Sequence, residues 1–253
     1  NAMALYGPIL PFSATFFVFS DYLKPAARIA SLSGIQQFFV WTHDSIGVGE
    51  DGPTHQPVEH LASLRAMPGL DVIRPSDANE LSVMWKYIMG LKDRPVALVL
   101  SRQGMPTLDR PKHAPAEGAL KGAYVLIESD GTPEVILIGT GSEMQICLDA
   151  YEQLASEGIN ARVVSMPCSS LFQRQDKDYQ EKVLPRSVAA RIVVEAGSKF
   201  GWHGYTGRQD DCGIFGLKDF GASAPSGELY KEFAFTTERV VQVAKNVIKK
   251  NKK

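Results

Sequence analysis

Short apolar runs alternate with helix-like runs along most of this chain, and this alternation limits the folds open to it. Three runs of strand length, at 37–41, 70–73 and 95–100, are separated by segments whose apolar residues recur at helical spacing. Four more runs follow residue 121, and they are 123–128, 135–139, 161–165 and 191–195. Strands that alternate with helices favour parallel sheets with crossover helices. We therefore predict an α/β protein with parallel-sheet-rich domains.

A segment without periodicity divides the two sets of runs. Residues 104–121 contain three prolines and many charges, a composition typical of interdomain linkers. We predict a first domain at 1–105, a linker at 106–120 and a second domain at 121–253. An amphipathic helix at 238–250 is expected to close the second domain, with the lysines of 249–253 as its solvated end.

Local signals predict where individual helices begin and end. Ser76 or Asp77 can cap a helix that runs to about Gly90, and Glu80 is spaced for a capping box. A second helix is expected to open at residues 141–143 and to stop at Gly158, because glycine commonly terminates helices.

Composition excludes several classes of protein. The 253 residues carry a net charge of −1, which does not favour nucleic acid or an anionic membrane as a partner. No apolar run approaches the ~18 residues of a membrane span, and the first eleven residues lack the basic start of a signal peptide. The sequence contains no C-x-x-C or H-E-x-x-H pattern, so it predicts no metal site. The three cysteines, Cys147, Cys168 and Cys212, are odd in number and widely spaced, which favours the reducing cytoplasm.

The segment 42–57 concentrates polar chemistry between an apolar run and a helix-like run. His43 directly follows a predicted strand, and two interpretations stay open: an acid, base or hydrogen-bonding group, or a loop histidine bonded to backbone. A titratable cluster lies nearby, and its members are Glu50, Asp51, His55 and Glu59. They can hold shifted pKa values or serve as turn and cap residues. His60 is expected on the surface of the following helix.

Three other features have both a functional and a structural interpretation. Phe16, Phe19 and Tyr22 recur every three residues, either as core packing or as a platform for a planar ring. Arg102 ends a predicted buried strand, where it can bind a phosphate or pair with a carboxylate. The glycine-rich turn 139–143 is either a phosphate loop or a tight strand-to-helix turn.

Taken together, these residues resemble the transketolase family, and the resemblance covers essentially the whole chain. Thr42 to Pro57 is similar to the signature loop of that family almost residue for residue. Other matching segments are 15–22, 74–77, 101–103, 163–167, 194–197 and 220–225. Related thiamine enzymes such as deoxyxylulose phosphate synthase share the Asp-Gly-Pro-Thr-His-Gln core, but generally lack the preceding Thr-His-Asp-Ser.

The resemblance implies an enzyme that uses thiamine diphosphate and Mg²⁺ to transfer a two-carbon ketol unit from a ketose phosphate to an aldose phosphate. It implies a pyrimidine-binding domain followed by a transketolase C-terminal domain. The implied catalytic residues are His43, Asp51 and His55, with His55 facing the reacting carbon and Asp51 holding the acceptor hydroxyl. His43 and Arg102 would reach the sugar phosphate. The residues implied around the aminopyrimidine are Phe16, Phe19 and Tyr22.

One departure from the family qualifies this expectation. The Gly-Asp-Gly motif that grips the diphosphate and Mg²⁺ has no counterpart here, since neither 50–52 nor 129–131 fits it. The glutamate that activates the cofactor would fall upstream of Asn1. We therefore expect an inactive C-terminal portion of a cytoplasmic, homodimeric transketolase of the pentose phosphate pathway, lacking its N-terminal diphosphate-binding domain. The alternatives are the C-terminal subunit of a split transketolase, or a non-catalytic interaction module with the same fold.

Overall fold

Two separate β-sheets organise the computed structural model, which describes residues 1–207 and 213–251. The first sheet has the order β1-β2-β4-β3 and is parallel throughout. Its strands are β1 (Phe12–Phe16), β2 (Phe38–Thr42), β3 (Asp71–Ile73) and β4 (Val96–Leu100). The predictions made for Cys212 and for the last two lysines of the tail lie outside the described residues.

The second sheet has the order β5-β7-β6-β8-β9. Its strand pairs are parallel except for the antiparallel pair of β5 with β7. Its strands are β5 (Tyr124–Ile127), β6 (Val135–Gly139), β7 (Ala161–Ser165), β8 (Arg191–Ser198) and β9 (Ile214–Leu217). The two parallel-rich sheets with their helices confirm the predicted α/β fold class.

Helices of very different length connect and cover the strands. Those of the first half are α1 (Ala2–Tyr6), α2 (Ser20–Leu32), α3 (His60–Arg65) and α4 (Ala78–Gly90). Those of the second half are α5 (Met144–Ser156), α6 (Ser169–Gln173), α7 (Lys177–Val183), α8 (His203–Thr206), α9 (Ser226–Glu232) and α10 (Thr237–Asn251). Short 3-10 helices are formed by Phe17–Phe19, Ile46–Val48, Ala116–Lys121 and Gly141–Glu143. No helix among the described residues is long and apolar enough to cross a membrane.

Strand register brings the ends of β1, β2 and β4 to one edge of the first sheet. Phe16 pairs with Thr42, and Thr42 pairs with Leu100. Side chains that end or directly follow these three strands therefore lie side by side, where α/β sheets usually hold their ligands.

The start of α4 shows the predicted capping. The Asp77 carboxylate accepts a hydrogen bond from the backbone N–H of Glu80 at 2.8 Å. The Glu80 carboxylate in turn accepts from the N–H of Ser76 at 2.7 Å. Asp77 is therefore the N-cap, and both acidic side chains are buried.

One local expectation was wrong. His60 was expected on the surface but is only 4% exposed, because α3 turns its ring under Phe17, with ring centroids 5.5 Å apart. Tertiary packing, which local periodicity does not report, decides this. In the segment 104–121, the last six residues form a 3-10 helix that ends at Gly122, whose φ is +84°.

Three buried carboxylates near β3 and α4 bind side chains of the linker and of the second domain. Asp71 accepts two hydrogen bonds from Arg174, each 2.8 Å long, and Asp77 accepts two from Arg110 at the same distance. Glu80 accepts from the hydroxyl of Tyr124 at 2.8 Å. The two domains are thus attached by specific polar contacts as well as by apolar packing.

Candidate functional site

A row of rings runs along the edge where β1 and β2 end. The rings of Phe16 and His43 stack at 3.7 Å between centroids with 15° between their planes. Phe19 lies 6.3 Å from Phe16, 6.2 Å from Tyr22 and 5.6 Å from His55. Tyr22 is 82% exposed, whereas the intervening Phe17 is fully buried and supplies the core contact. Core packing, one of the two interpretations of this aromatic stripe, therefore does not describe it.

His43 has an unusual backbone conformation. Its φ is +63°, a left-handed value that costs a non-glycine residue on the order of 1 kcal/mol. Two contacts hold the residue there: the stacked Phe16 ring, and the Thr42 hydroxyl 2.9 Å from His43 Nδ1. This conformation fixes the direction of the imidazole at the end of β2.

The charges around His43 come from three segments of the chain. Burial lowers the pKa of His43 below its ordinary 6.5, and the positive charge of Arg102 lowers it further. The carboxylates of Asp51 and Asp44 oppose both effects by raising this pKa. The structure thus brings His43, Asp51 and Arg102 into one electrostatic environment, with the imidazole neutral at pH 7.

We expect the pKa of His43 to respond in opposite directions to its two exposed charged neighbours. Arg102→Gln removes a positive charge and should raise the pKa, whereas Asp51→Asn removes a negative charge and should lower it. An NMR titration of the His43 ring in the purified chain measures both shifts. Arg186→Gln, at an exposed arginine elsewhere, is the control and should leave the titration unchanged. Shifts of the same sign in both variants would contradict this arrangement.

Tight turns present Asp51 and His55 beside the ring row. Gly49 and Gly52 both have positive φ, at +85° and +78°, which glycine adopts without a steric penalty. The N–H of Gly52 donates to Gly49 O at 3.1 Å, and the N–H of His55 donates to Gly52 O at 3.0 Å. Asp51 is exposed and His55 half-buried, with His55 Nδ1 2.9 Å from the Thr54 hydroxyl. Both side chains are accessible to a ligand.

Arg74 lies behind this edge and had no assigned role in the sequence analysis. Its side chain is fully buried, and its guanidinium donates to Asp44 Oδ2 at 2.8 Å and to Glu143 Oε2 at 2.5 Å. Burial opposes the charge of Arg74, but the surrounding carboxylates outweigh it and raise the pKa of this arginine well above its ordinary value. In the sequence, the only feature that could have pointed to Arg74 was its position directly after a predicted buried strand. Arg102 was singled out for the same reason, because it ends a predicted buried strand.

The glycine-rich turn 139–143 is a structural turn. Arg74 donates to the backbone oxygen of Thr140 at 3.0 Å and to its hydroxyl at 2.8 Å, and a Cβ at Gly141 would overlap the guanidinium. An internal cation thus fills the space that a phosphate would need.

Glu195 is a buried carboxylate near this turn. Arg65 donates two hydrogen bonds of 2.7 Å to it. Burial alone would raise the pKa of Glu195, but Arg65 lowers this pKa to about 2.

One group of potential metal ligands occurs among the described residues. Ligand atoms of Asp21, Glu59 and His60 lie within 4.8 Å of one another. Asp21 is already paired with the ammonium group of Lys24 at 3.2 Å. This group lies on α2 and α3, and we assign it no metal.

Two family models match the chain. The transketolase pyrimidine-binding domain matches residues 1–107, and the transketolase-like C-terminal domain matches residues 122–236. Together they account for most of the chain and for both sheets.

Individual relatives agree with these models. A transketolase from Halalkalibacterium halodurans is 51% identical over 248 residues, covering 98% of this chain and 37% of the relative. The structure of a Pichia stipitis transketolase in complex with sedoheptulose-7-phosphate has a TM-score of 0.88 and 40% identity, over 95% of this chain and 34% of that one.

A second structure shares the fold at lower identity. It is a split gene transketolase, described as an inactive beta4 tetramer, with a TM-score of 0.77 and 23% identity over 97% of this chain and 78% of that one. The chain spans about a third of the length of the curated transketolase relatives named here. With its two domains matching the models of one family and their order preserved, this chain belongs to the transketolase family.

Proposed function

We propose that this chain carries the pyrimidine side and the substrate side of a transketolase that uses thiamine diphosphate to transfer a two-carbon ketol unit between sugar phosphates. One observation carries the proposal: a row of accessible rings adjoins His43, Asp51, His55 and Arg102 at a single sheet edge. We assign 1–105 as the pyrimidine-binding domain, 106–120 as the linker and 121–253 as the C-terminal domain.

The ring row fits the flat part of the cofactor. Phe16, Phe19 and Tyr22 offer aromatic faces to a planar aminopyrimidine, and the exposure of Tyr22 leaves that row open. When bound, thiamine diphosphate supplies the electron sink that ketol transfer requires. The glycine-rich turn 139–143 does not cradle its diphosphate, since Arg74 fills that turn. We propose that a diphosphate-binding domain outside this chain holds the diphosphate and Mg²⁺.

The polar residues match the groups of a sugar phosphate. Arg102 and neutral His43 donate hydrogen bonds to the phosphate, and Asp51 accepts one from a hydroxyl of the acceptor. His55, on the outer turn, faces the reacting carbon and moves a proton to or from its oxygen. Asp51 and Arg102 are exposed and His43 and His55 are half-buried, so each of the four side chains can reach a ligand.

Calorimetry and a coupled assay test the function. The complete enzyme, meaning this chain joined to a transketolase diphosphate-binding domain, should bind thiamine diphosphate with Mg²⁺. It should also transfer a ketol unit from sedoheptulose-7-phosphate to an aldose phosphate. The chain alone should do neither. Turnover after mixing the two parts as separate polypeptides would support the split-subunit alternative. Cofactor binding without turnover in the complete enzyme would refute the proposed reaction and favour a non-catalytic module.

Arg102→Gln in the complete enzyme should raise KM for the sugar phosphate by about 10- to 100-fold, with a smaller change in kcat. A charge-assisted hydrogen bond contributes about 1.5–3 kcal/mol, and Arg102 is proposed to contact a part of the substrate remote from the reacting carbon. Steady-state kinetics in both substrates measures the change, with Arg186→Gln as the control. An unchanged KM would remove Arg102 from the phosphate site.

We further propose that the complete enzyme is a cytoplasmic homodimer. The first domain exposes Tyr22 of the ring row, and it also exposes other large apolar side chains, which are Leu5, Tyr6 and Phe12. Exposed apolar surface on this scale can mark a protein interface. Sedimentation of the complete enzyme as a monomer at assay concentration would contradict the dimer.

A further inference from the structure

We propose that the C-terminal domain positions the substrate-side residues, through the loop 221–226 and Tyr230. These two elements hold the backbone of 49–56, which carries Asp51 and His55, and the backbone beside Arg102. The catalytic consequence rests on the proposed function, whereas the conformational consequence concerns this chain alone. Gln56, Ser223, Gly221 and Tyr230 are thus assigned as positioning residues.

Gln56 ties the segment 49–56 both to itself and to the other domain. Its side chain is only 2% exposed. The Nε2 group donates one hydrogen bond to Gly49 O at 2.8 Å and another to Ala222 O at 2.9 Å. One buried amide therefore closes the two ends of the turn and attaches them to the C-terminal domain.

The middle of the same turn rests on the loop 221–226. The Ser223 hydroxyl donates to the backbone oxygen of Glu50, the residue before Asp51. A Cβ at Gly52 would come within 3.3 Å of Ser223 Cβ, and a Cβ at Gly49 within 3.5 Å of Ala224 O. At Gly221 a Cβ would overlap the Gln56 side-chain oxygen. The two segments fit together without room for an added methyl group at Gly221.

Tyr230 makes a second attachment, near His43 and Arg102. Its hydroxyl donates to Glu143 Oε1 at 2.6 Å and accepts from Gln103 Nε2 at 3.2 Å. It also lies 3.5 Å from the Ser45 hydroxyl. Gln103 is the residue next to Arg102, and Ser45 lies two residues after His43. A single phenol on α9 thus connects the loops that follow β2 and β4.

Two of these contacts hold the turn that presents Asp51 and do not belong to the apolar packing of either domain. Gly49 O and Glu50 O are backbone acceptors in the turn that presents Asp51, and each is held by a named side-chain donor. Loss of one donor should loosen this turn while leaving the apolar cores of both domains intact. A small loss of geometry at reacting groups reduces rate far more than it reduces stability.

Gly221→Ala tests the proposal on the chain as it stands. The added methyl group should displace the Gln56 amide and increase amide hydrogen exchange in residues 49–56 by about tenfold. A tenfold increase corresponds to a decrease of about 1.4 kcal/mol in the free energy of local opening. Gly227→Ala is the matched control, because a Cβ there meets nothing within 4 Å, and exchange in 49–56 should not change. Unchanged exchange in Gly221→Ala would overturn the proposal.

Tyr230→Phe provides a second variant, should Gly221→Ala not fold. Removal of this hydroxyl should increase exchange in 43–47 and 101–103, whereas Tyr179→Phe, which removes a hydroxyl bonded to Ala123 O at 3.0 Å, should not. In the complete enzyme, Tyr230→Phe should lower kcat/KM about tenfold at a temperature where the variant is fully folded. Equal effects of the two tyrosine variants on exchange or kcat/KM would overturn the proposal. If the unmodified complete enzyme shows no turnover, the exchange results still decide it, and only the proposed function fails.

Discussion

Replacement of Arg74 with alanine is expected to lower the free energy of unfolding of this chain by about 3–5 kcal/mol. The substitution removes the guanidinium donor from Asp44, Glu143 and Thr140. Both carboxylates are almost fully buried, so water cannot replace the guanidinium without opening the domain interface. Urea denaturation of the purified chain and its variant measures the loss.

Two further variants separate the contribution of Arg74 from that of any arginine. Arg186→Ala removes an 88% exposed side chain whose nearest carboxylate is 3.7 Å away, and it should change stability by less than about 1 kcal/mol. Arg74→Lys keeps the positive charge but lacks the fork that reaches three partners, and its effect should fall between the two. A loss below about 1 kcal/mol in Arg74→Ala would show that the network does not hold the domains together.

Replacement of His55 with alanine is expected to reduce kcat/KM of the complete enzyme by about 10²- to 10⁴-fold, the range that a positioned acid or base contributes. The imidazole meets Phe19 edge-on at 5.6 Å and is otherwise accessible. Since it lies on an outer turn rather than in a core, the melting temperature should stay the same. The coupled ketol-transfer assay and thermal denaturation measure the two effects.

His113→Ala is the matched control for this experiment. His113 is also half-buried in an irregular segment, with Nδ1 2.8 Å from Asp109 O, and its loss should leave the rate unchanged. A rate within about twofold of the parent in His55→Ala, which corresponds to less than 0.5 kcal/mol in the barrier, would remove His55 from the catalytic site.

The elements with a strong local signal were predicted from sequence. β6 and β7 lie at the predicted residues, and Asp77, one of the two predicted cap residues, caps α4. β6 succeeds because a parallel strand buried on both faces is continuously apolar, and the cap succeeds because it needs a side-chain oxygen at one position. β1, which carries Phe16, was not found by its periodicity because it lies at the sheet edge and none of its five residues is buried.

The chemistry of the candidate site was also visible in the sequence, but its assembly was not. The loop 42–57 and the aromatic stripe were both identified with alternatives left open. The stacking of Phe16 on His43 and the charge of Arg102 near that ring depend on strand register. Neither residue spacing nor composition specifies which distant loops will meet.

Arg74 and Arg102 show most clearly what each level of structure decides. Both arginines follow a buried parallel strand, and the sequence alone determined those two strands and the presence of a cation after each of them. Tertiary structure separated them: Glu143 and Thr140 of the second domain enclose Arg74, whereas Arg102 stays exposed at the open edge. The physical reason is that a buried charge requires partners, and those partners lie more than sixty residues away in the chain.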